Sequence, residues 1–204
     1  MIAIFFLLAC VQSVSVRSHC ELNSTKGCWG HLKTFAERTG TANPFNGFVW
    51  STPTFTDLDN DGDFDLVVGE SGGSIKYYEN TGSVTNPTFT ERTENPFNSI
   101  DVGFYSTPTF VDLDNDGDLD LVVGESDGTI KYFENTGNAT HANFTERTST
   151  TNPFNTIGVG AESTPTFTDI DNDGDFDLVV GEIDGTIKYY ENTGSVTNPT
   201  FTER

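Results

Sequence analysis

The sequence has few basic residues. Lysine and arginine together number 10 among 204 residues, against 31 aspartates and glutamates, so the net charge is −21 at pH 7. Nucleic acids and anionic membranes attract basic surfaces, and this balance argues against both as partners. Phenylalanine nevertheless occurs 17 times. An acidic chain this rich in aromatic residues can bury a core, so we expect a folded protein.

Histidine is also scarce. Three occur, at His19, His31 and His141, and none recurs in the repeats described below. The sequence has no Ser-His-Asp order, no phosphate-binding loop and no zinc motif. These absences predict a protein that is not an enzyme, with no catalytic residue and no organic cofactor.

Long apolar runs are absent beyond the start of the chain. The first 16 residues are mostly apolar but too short to span a bilayer, and they predict a secretory signal peptide at residues 1–18 and an extracellular protein with no transmembrane segment in its mature chain. The stretch Leu7–Cys10 also resembles a lipoprotein box, which makes a lipid-anchored cell-surface protein the minor alternative. Segment 19–34 holds Cys20 and Cys28, which would either form a disulfide or remain free thiols.

Internal repetition dominates residues 35–204. The string STPTF begins at Ser51, Ser106 and Ser163, and LVVGE, IKYYEN or IKYFEN, and FTER follow it in the same order each time. Short β-branched and aromatic runs separated by turn residues predict four strands per unit. The predicted units cover residues 51–92, 106–147 and 163–204, preceded by an orphan strand at 35–38.

Four antiparallel strands in a unit of about 55 residues are typical of a β-propeller blade. The predicted fold is therefore all-β, a partial β-propeller of three four-stranded blades, with an open stack or solenoid as the rival. Apolar residues such as Phe55, Leu66 and Ile75 are expected to pack between blades. Gly69 and its copies are expected to mark either a close approach of two backbones or a bend in the strand, and Asp127-Gly128 predicts a tight primed hairpin turn.

The loop between the first two strands carries most of the chemistry. In DLDNDGDFD, from Asp57 to Asp65, aspartates occupy alternate positions, and the same pattern returns twice. Alternate oxygen-bearing residues around a glycine that permits a sharp turn are typical of a calcium loop. An EF-hand is excluded because its twelfth position needs a bidentate glutamate, and Val68 stands there. Asn60 is expected to cap or to turn the chain and not to bind metal.

The pattern predicts about three calcium ions, one per loop; the alternative is an acidic turn without metal. The seventh position can contribute its backbone carbonyl. The predicted metal ligands are Asp57, Asp59, Asp61, Asp63 and Asp65 in the first loop, Asp112, Asp114, Asp116, Asp118 and Asp120 in the second, and Asp169, Asp171, Asp173, Asp175 and Asp177 in the third.

The unit TPTFTDLDNDGDFDLVVGE followed by GSIKYYENTG resembles the FG-GAP/VCBS repeat family, which includes the β-propeller of integrin α-subunits. The resemblance covers residues 35–204. It implies a propeller of about seven blades, with calcium in the loops between the first two strands. Three units cannot close such a ring. We therefore expect a fragment of a larger propeller, an open arc, or a head-to-tail oligomer.

The resemblance implies an extracellular calcium-binding scaffold for adhesion or ligand recognition, whose partner is a protein or a glycan. A carbohydrate-binding lectin is the alternative, as is a non-catalytic repeat region of a larger secreted enzyme. Aromatic residues in the links between units are candidate ligand contacts, although each would also fit packing between blades. They are Phe48, Trp50, Phe104 and Tyr105.

Overall fold

A computed structural model describes Asn43, Phe45, Phe48 and residues 50–100 and 102–204. The predicted signal peptide at 1–18, the cysteine-containing segment at 19–34 and the orphan strand at 35–38 lie outside the described residues. No helix long and apolar enough to cross a bilayer occurs in the described part of the chain.

The described residues form twelve strands in three separate four-stranded antiparallel sheets. The first sheet contains β1 (Thr52–Thr56), β2 (Asp65–Gly69), β3 (Ile75–Asn80) and β4 (Phe89–Glu91). The second contains β5 (Thr107–Val111), β6 (Asp120–Gly124), β7 (Ile130–Asn135) and β8 (Phe144–Arg147). The third contains β9 (Thr164–Thr168), β10 (Asp177–Gly181), β11 (Ile187–Asn192) and β12 (Phe201–Glu203).

Each sheet is a meander in which neighbours in sequence are neighbours in space. The innermost strands β1, β5 and β9 lie side by side, as the blades of a propeller require. The predicted partial propeller of three blades is confirmed. We call the sheets blade 1, blade 2 and blade 3 in chain order.

The second strand of blades 1 and 2 is buried along its whole length because both of its faces are covered, whereas Val179 and Gly181 in β10 of blade 3 are only partly buried. Val67, Ile75 and Tyr77 of blade 1 pack against Leu121 and Val123 of blade 2. All five side chains are buried in one hydrophobic cluster. A second cluster repeats this arrangement between blades 2 and 3. The expected packing between blades is therefore confirmed at both internal interfaces, whereas Phe55, on the outer face of blade 1, is 54% exposed and packs in neither cluster.

A phenylalanine from each link enters these interfaces, and we call it the wedge residue. Phe97 stacks on Phe144 with ring centroids 5.3 Å apart, and it also contacts Tyr77 and Phe110. Its N–H donates to Asn95 Oδ1, which explains the NPFN string, since the asparagine fixes the turn that delivers the ring. Phe154 is the corresponding wedge between blades 2 and 3.

The turn between the second and third strands differs from the expectation. A primed two-residue turn needs positive φ at both central residues, but only the last residue of each turn, Gly73, Gly128 or Gly185, has positive φ. Gly128 N–H donates to Glu125 O, and Glu125 N–H to Thr129 O. The prediction of a primed turn was wrong, and the loop has three residues with a glycine bulge.

Candidate metal centre

The aspartate-rich loops connect β1 to β2, β5 to β6 and β9 to β10. Each loop folds tightly because two residues adopt left-handed backbone conformations. In the first loop these are Asn60, with φ 56°, and Gly62, with φ 97°. Asparagine tolerates this conformation better than other side chains do, and glycine adopts it freely. The expectation that Asn60 turns the chain is confirmed, and the same holds for Gly62.

The first aspartate of each loop closes the turn. Asp57 accepts hydrogen bonds from the N–H groups of Asp61 and Gly62, both at 3.0 Å. Asp112 and Asp169 accept the corresponding bonds in the other two loops. These bonds fold the loop back on itself and bring the alternate carboxylates to one side.

In each loop three carboxylates converge, with ligand atoms within 4.8 Å of one another. The groups are Asp57, Asp59 and Asp61, then Asp112, Asp114 and Asp116, and finally Asp169, Asp171 and Asp173. These are the first, third and fifth positions of the predicted ligand set. The three groups could each hold a metal ion.

Several loop carboxylate oxygens are buried and have no hydrogen-bond partner. They are Oδ1 of Asp59, Asp63, Asp114, Asp118 and Asp175. A buried anionic oxygen without a partner is costly, so such atoms are rare in folded proteins. The seventh position lies outside the three-residue groups, yet in all three loops its side-chain oxygen is buried in this way. A cation bound in each loop would satisfy these atoms.

The electrostatics of the loops lead to the same conclusion. Burial raises the pKa of Asp114, and the negative charge of Asp116 raises it further. The pKa of Asp59 is raised for the same reasons, with Asp61 as the neighbour. The aspartate at the third position of each loop therefore lies where negative charge is disfavoured. A divalent cation at the centre reverses this effect because it favours the ionised forms.

The ninth position has a different environment from the other four. Asp65 is buried, and it accepts hydrogen bonds from the N–H of Leu58, the hydroxyl of Tyr77 and the N–H of Asn80. Asp120 makes the corresponding bonds in blade 2, and Asp177 in blade 3. The structure places this aspartate beneath the loop, where it ties the loop to the third strand.

Sequence reasoning missed the asparagine that ends each third strand. Asn80 is buried, and its Oδ1 accepts the N–H groups of Gly82 and Thr88 while its own N–H donates to Asp65. Asn135 and Asn192 repeat these bonds. The signal was the asparagine closing every IKYYEN or IKYFEN string, since a polar residue repeated at a strand end predicts a shared structural role.

Comparison with known proteins agrees with this architecture. No curated protein matches the sequence. The family model of the FG-GAP-like repeat matches residues 57–123 and 112–180. Each match runs from the aspartate loop of one blade into the second strand of the next, and together they span more than half of the 204 residues. The chain therefore belongs to the FG-GAP-like repeat family.

Proposed function

We propose that this protein is an extracellular, calcium-stabilised β-propeller-type scaffold that recognises a ligand and has no catalytic activity of its own. The observation that carries the calcium proposal is the buried, unpartnered side-chain oxygen at the seventh position of all three loops, accompanied in blades 1 and 2 by one at the third position. Calcium accepts six to eight oxygen ligands in flexible geometry, whereas magnesium demands a stricter octahedron and retains waters. The converging carboxylates of each loop fit calcium better.

Within each loop, some aspartates are candidate metal ligands and one has a structural role. The first, third and fifth aspartates supply carboxylates, and the unpartnered oxygen of the seventh makes it a further ligand. Asp65 and its copies hold the loop against the blade. When bound, calcium would offset two of the negative charges of the loop and hold together the two strands that the loop connects. Three ions would change the net charge from −21 to about −15, at two positive charges per ion.

Calorimetric titration of the chelated protein tests this proposal. We expect about three sites with dissociation constants on the order of 10⁻⁴ to 10⁻³ M, and a melting temperature that rises with calcium by mass action. Asp114→Asn keeps the side-chain shape but removes one charge, so it should eliminate one site and leave two. Asp127→Asn, in a hairpin turn outside the loops, is the matched control and should leave all three.

If the chelated protein bound no calcium at millimolar concentration, or if Asp127→Asn removed a site as readily as Asp114→Asn, the loops would be acidic turns without a metal function. The scaffold role would then have to depend on packing between blades alone.

Ligand recognition is supported by exposed aromatic side chains in the links. Trp50 is 71% exposed and Phe104 is 68% exposed, and Trp50 meets Tyr105 edge-to-face at 6.2 Å. Trp50 and Tyr105 also have left-handed backbones, with φ 52° and 56°, which bulky residues rarely adopt. Exposed tryptophan and tyrosine are frequent anchors of binding surfaces. Phe48 differs, because it is half-buried and packs on Tyr78.

A protein ligand for adhesion is the first candidate and a glycan is the second. Aromatic rings suit both, since a ring offers an apolar face to a sugar or to a side chain. A glycan array separates them. Saturable sugar binding that Trp50→Ala abolishes would favour the lectin, and an unresponsive array together with capture of a cell-surface protein would favour adhesion.

A further inference from the structure

One face of blade 3 exposes residues that are buried in the other two blades. We call this the open face and define it as Ile170, Val179, Ile187 and Tyr189. The side chain of Ile187 is 75% exposed, whereas its equivalents Ile75 and Ile130 are 6% and 2% exposed. The difference arises because the next blade covers Ile75 and Ile130, while no described residue covers Ile187 in this way.

At the other end of the array, blade 1 displays the residues that would cover such a face. We call this the head face and define it as Phe45, Ser51 and Phe55. Phe55 is 54% exposed, while its equivalents Phe110 and Phe167 pack against the internal clusters. Phe45 lies 4.9 Å from Phe89, which is the position that the wedge residues hold on blades 2 and 3.

Polar groups at the two ends are also complementary. Thr107 Oγ1 donates to the carbonyl of Ser163 at 2.7 Å, and Thr52 donates likewise to Ser106. Across the same interfaces the serine hydroxyls donate back to the carbonyls of the preceding blade. In the described part of the chain Thr164 Oγ1 bonds only Gly181 O, and Ser51 is exposed.

The glycine that ends the second strand of each blade shows how closely the next blade packs. A Cβ on Gly69 would lie 2.3 Å from Ser106 O, and one on Gly124 would lie 2.1 Å from Ser163 O. A Cβ on Gly181 would approach only Thr164 Oγ1, at 2.8 Å. Gly181 therefore leaves open the space that a serine carbonyl fills at the internal interfaces.

We propose that the open face of one copy of this chain binds the head face of a second copy and repeats the contact between its own blades. Ser51 of the second copy then offers its carbonyl to Thr164 and its hydroxyl to the carbonyl of Glu182. Its Phe45 becomes the wedge against Tyr189. The contact joins two different surfaces, so it is heterologous and either closes a ring or continues as a chain of copies.

Sedimentation velocity of the full chain, over a range of concentrations with calcium present, tests this proposal. We expect the wild type to associate reversibly. Ile187→Lys and Gly181→Ala should each raise the concentration for half-association about tenfold or more, with unchanged melting of the monomer. Phe104→Lys is the control, because Phe104 is equally exposed but belongs to the link between blades 1 and 2, and it should associate like the wild type.

A mixing experiment tests the head-to-tail direction. Phe55→Lys blocks the head face and Ile187→Lys blocks the open face, so at concentrations where the wild type just associates each variant alone should be monomeric. Mixed together they retain one intact face of each kind and should form a heterodimer that stops at two copies. A monomeric wild type, equal loss of association in Phe104→Lys, or a mixture that stays monomeric would each overturn the proposal.

Discussion

Phe154 enters the interface between blades 2 and 3 as its wedge residue, and its removal should destabilise the protein strongly. The ring is buried, stacks on Phe201 at 5.1 Å, and contacts Tyr132 and Phe167 at 6.1 and 5.8 Å. Phe154→Ala would leave a cavity bounded by both blades. Side-chain packing and hydrogen bonds hold blades 2 and 3 in place around this ring. We therefore expect neither blade to move far enough to fill the cavity.

The expected loss follows from this environment. Truncating a fully buried phenylalanine costs about 3–5 kcal/mol, including the cavity left behind. For a chain of this size each kilocalorie lowers the melting temperature by roughly 2–4 °C. Phe154→Ala should therefore melt roughly 6–20 °C below the wild type in saturating calcium, by calorimetry. Phe97→Ala should behave alike, because Phe97 is the wedge of the other interface.

The repeat supplies a matched control. Phe45 is only half-buried, and its one ring contact among the described residues is with Phe89. Phe45→Ala in dilute, unassociated protein should cost clearly less than Phe154→Ala. If the three variants melted together, or if Phe154→Ala lost under about 1 kcal/mol, the rings would not be wedges and the account of blade packing would be wrong.

Three further predictions concern single residues or pH. Gly124→Ala should lower the free energy of unfolding by about 1–3 kcal/mol, read from urea titration, because its Cβ would lie 2.1 Å from Ser163 O; an unchanged midpoint would contradict the close approach. Burial raises the pKa of Asp120 to about 7 in the folded state, compared with about 4 in the unfolded state. Between about pH 4 and pH 7 the folded protein therefore holds a proton on Asp120 that the unfolded protein has released. Calcium-free protein should therefore lose stability as pH rises from about 4 to 7. In saturating calcium the melting temperature should instead rise over this range, because protons compete with calcium for the loop carboxylates. The same dependence of melting temperature on pH in both buffers would refute this prediction. Arg147→Met should change stability by under about 1 kcal/mol, because the ion pair of Arg147 with Glu134 is partly exposed; a larger loss by urea titration would show that this pair anchors β8.

Much of this architecture could be predicted from the spacing of residues alone. The unit of about 55 residues occurs three times. Each copy contains the four runs of β-branched and aromatic residues and the Asp-Gly loop. A pattern found in all three copies rarely arises by chance, so the prediction did not depend on any single copy. A residue's position in the repeat also predicted its conformation, as with Gly62 and Asn60, because local backbone geometry depends mainly on nearby residues.

The division of labour among the aspartates could not be predicted in this way. In the sequence Asp57 and Asp65 look equivalent, yet Asp57 closes the loop turn while Asp65 accepts hydrogen bonds from Tyr77 and Asn80. These partners lie 12 and 15 residues away along the chain. Pairing between β2 and β3 brings them together, so the role of Asp65 depends on the register of the blade.

The blade, its strands and its acidic loops can be predicted from the amino-acid order, because they depend on contacts within one repeat. Which copies of a residue are buried becomes clear only when the blades pack together. Ile75, Ile130 and Ile187 occupy the same position in nearly identical strings, but the first two lie under a following blade and the third is exposed. The burial of a residue depends on which blade packs against it from outside its own repeat. The same string therefore occurs at buried and at exposed positions, and the string alone does not distinguish them.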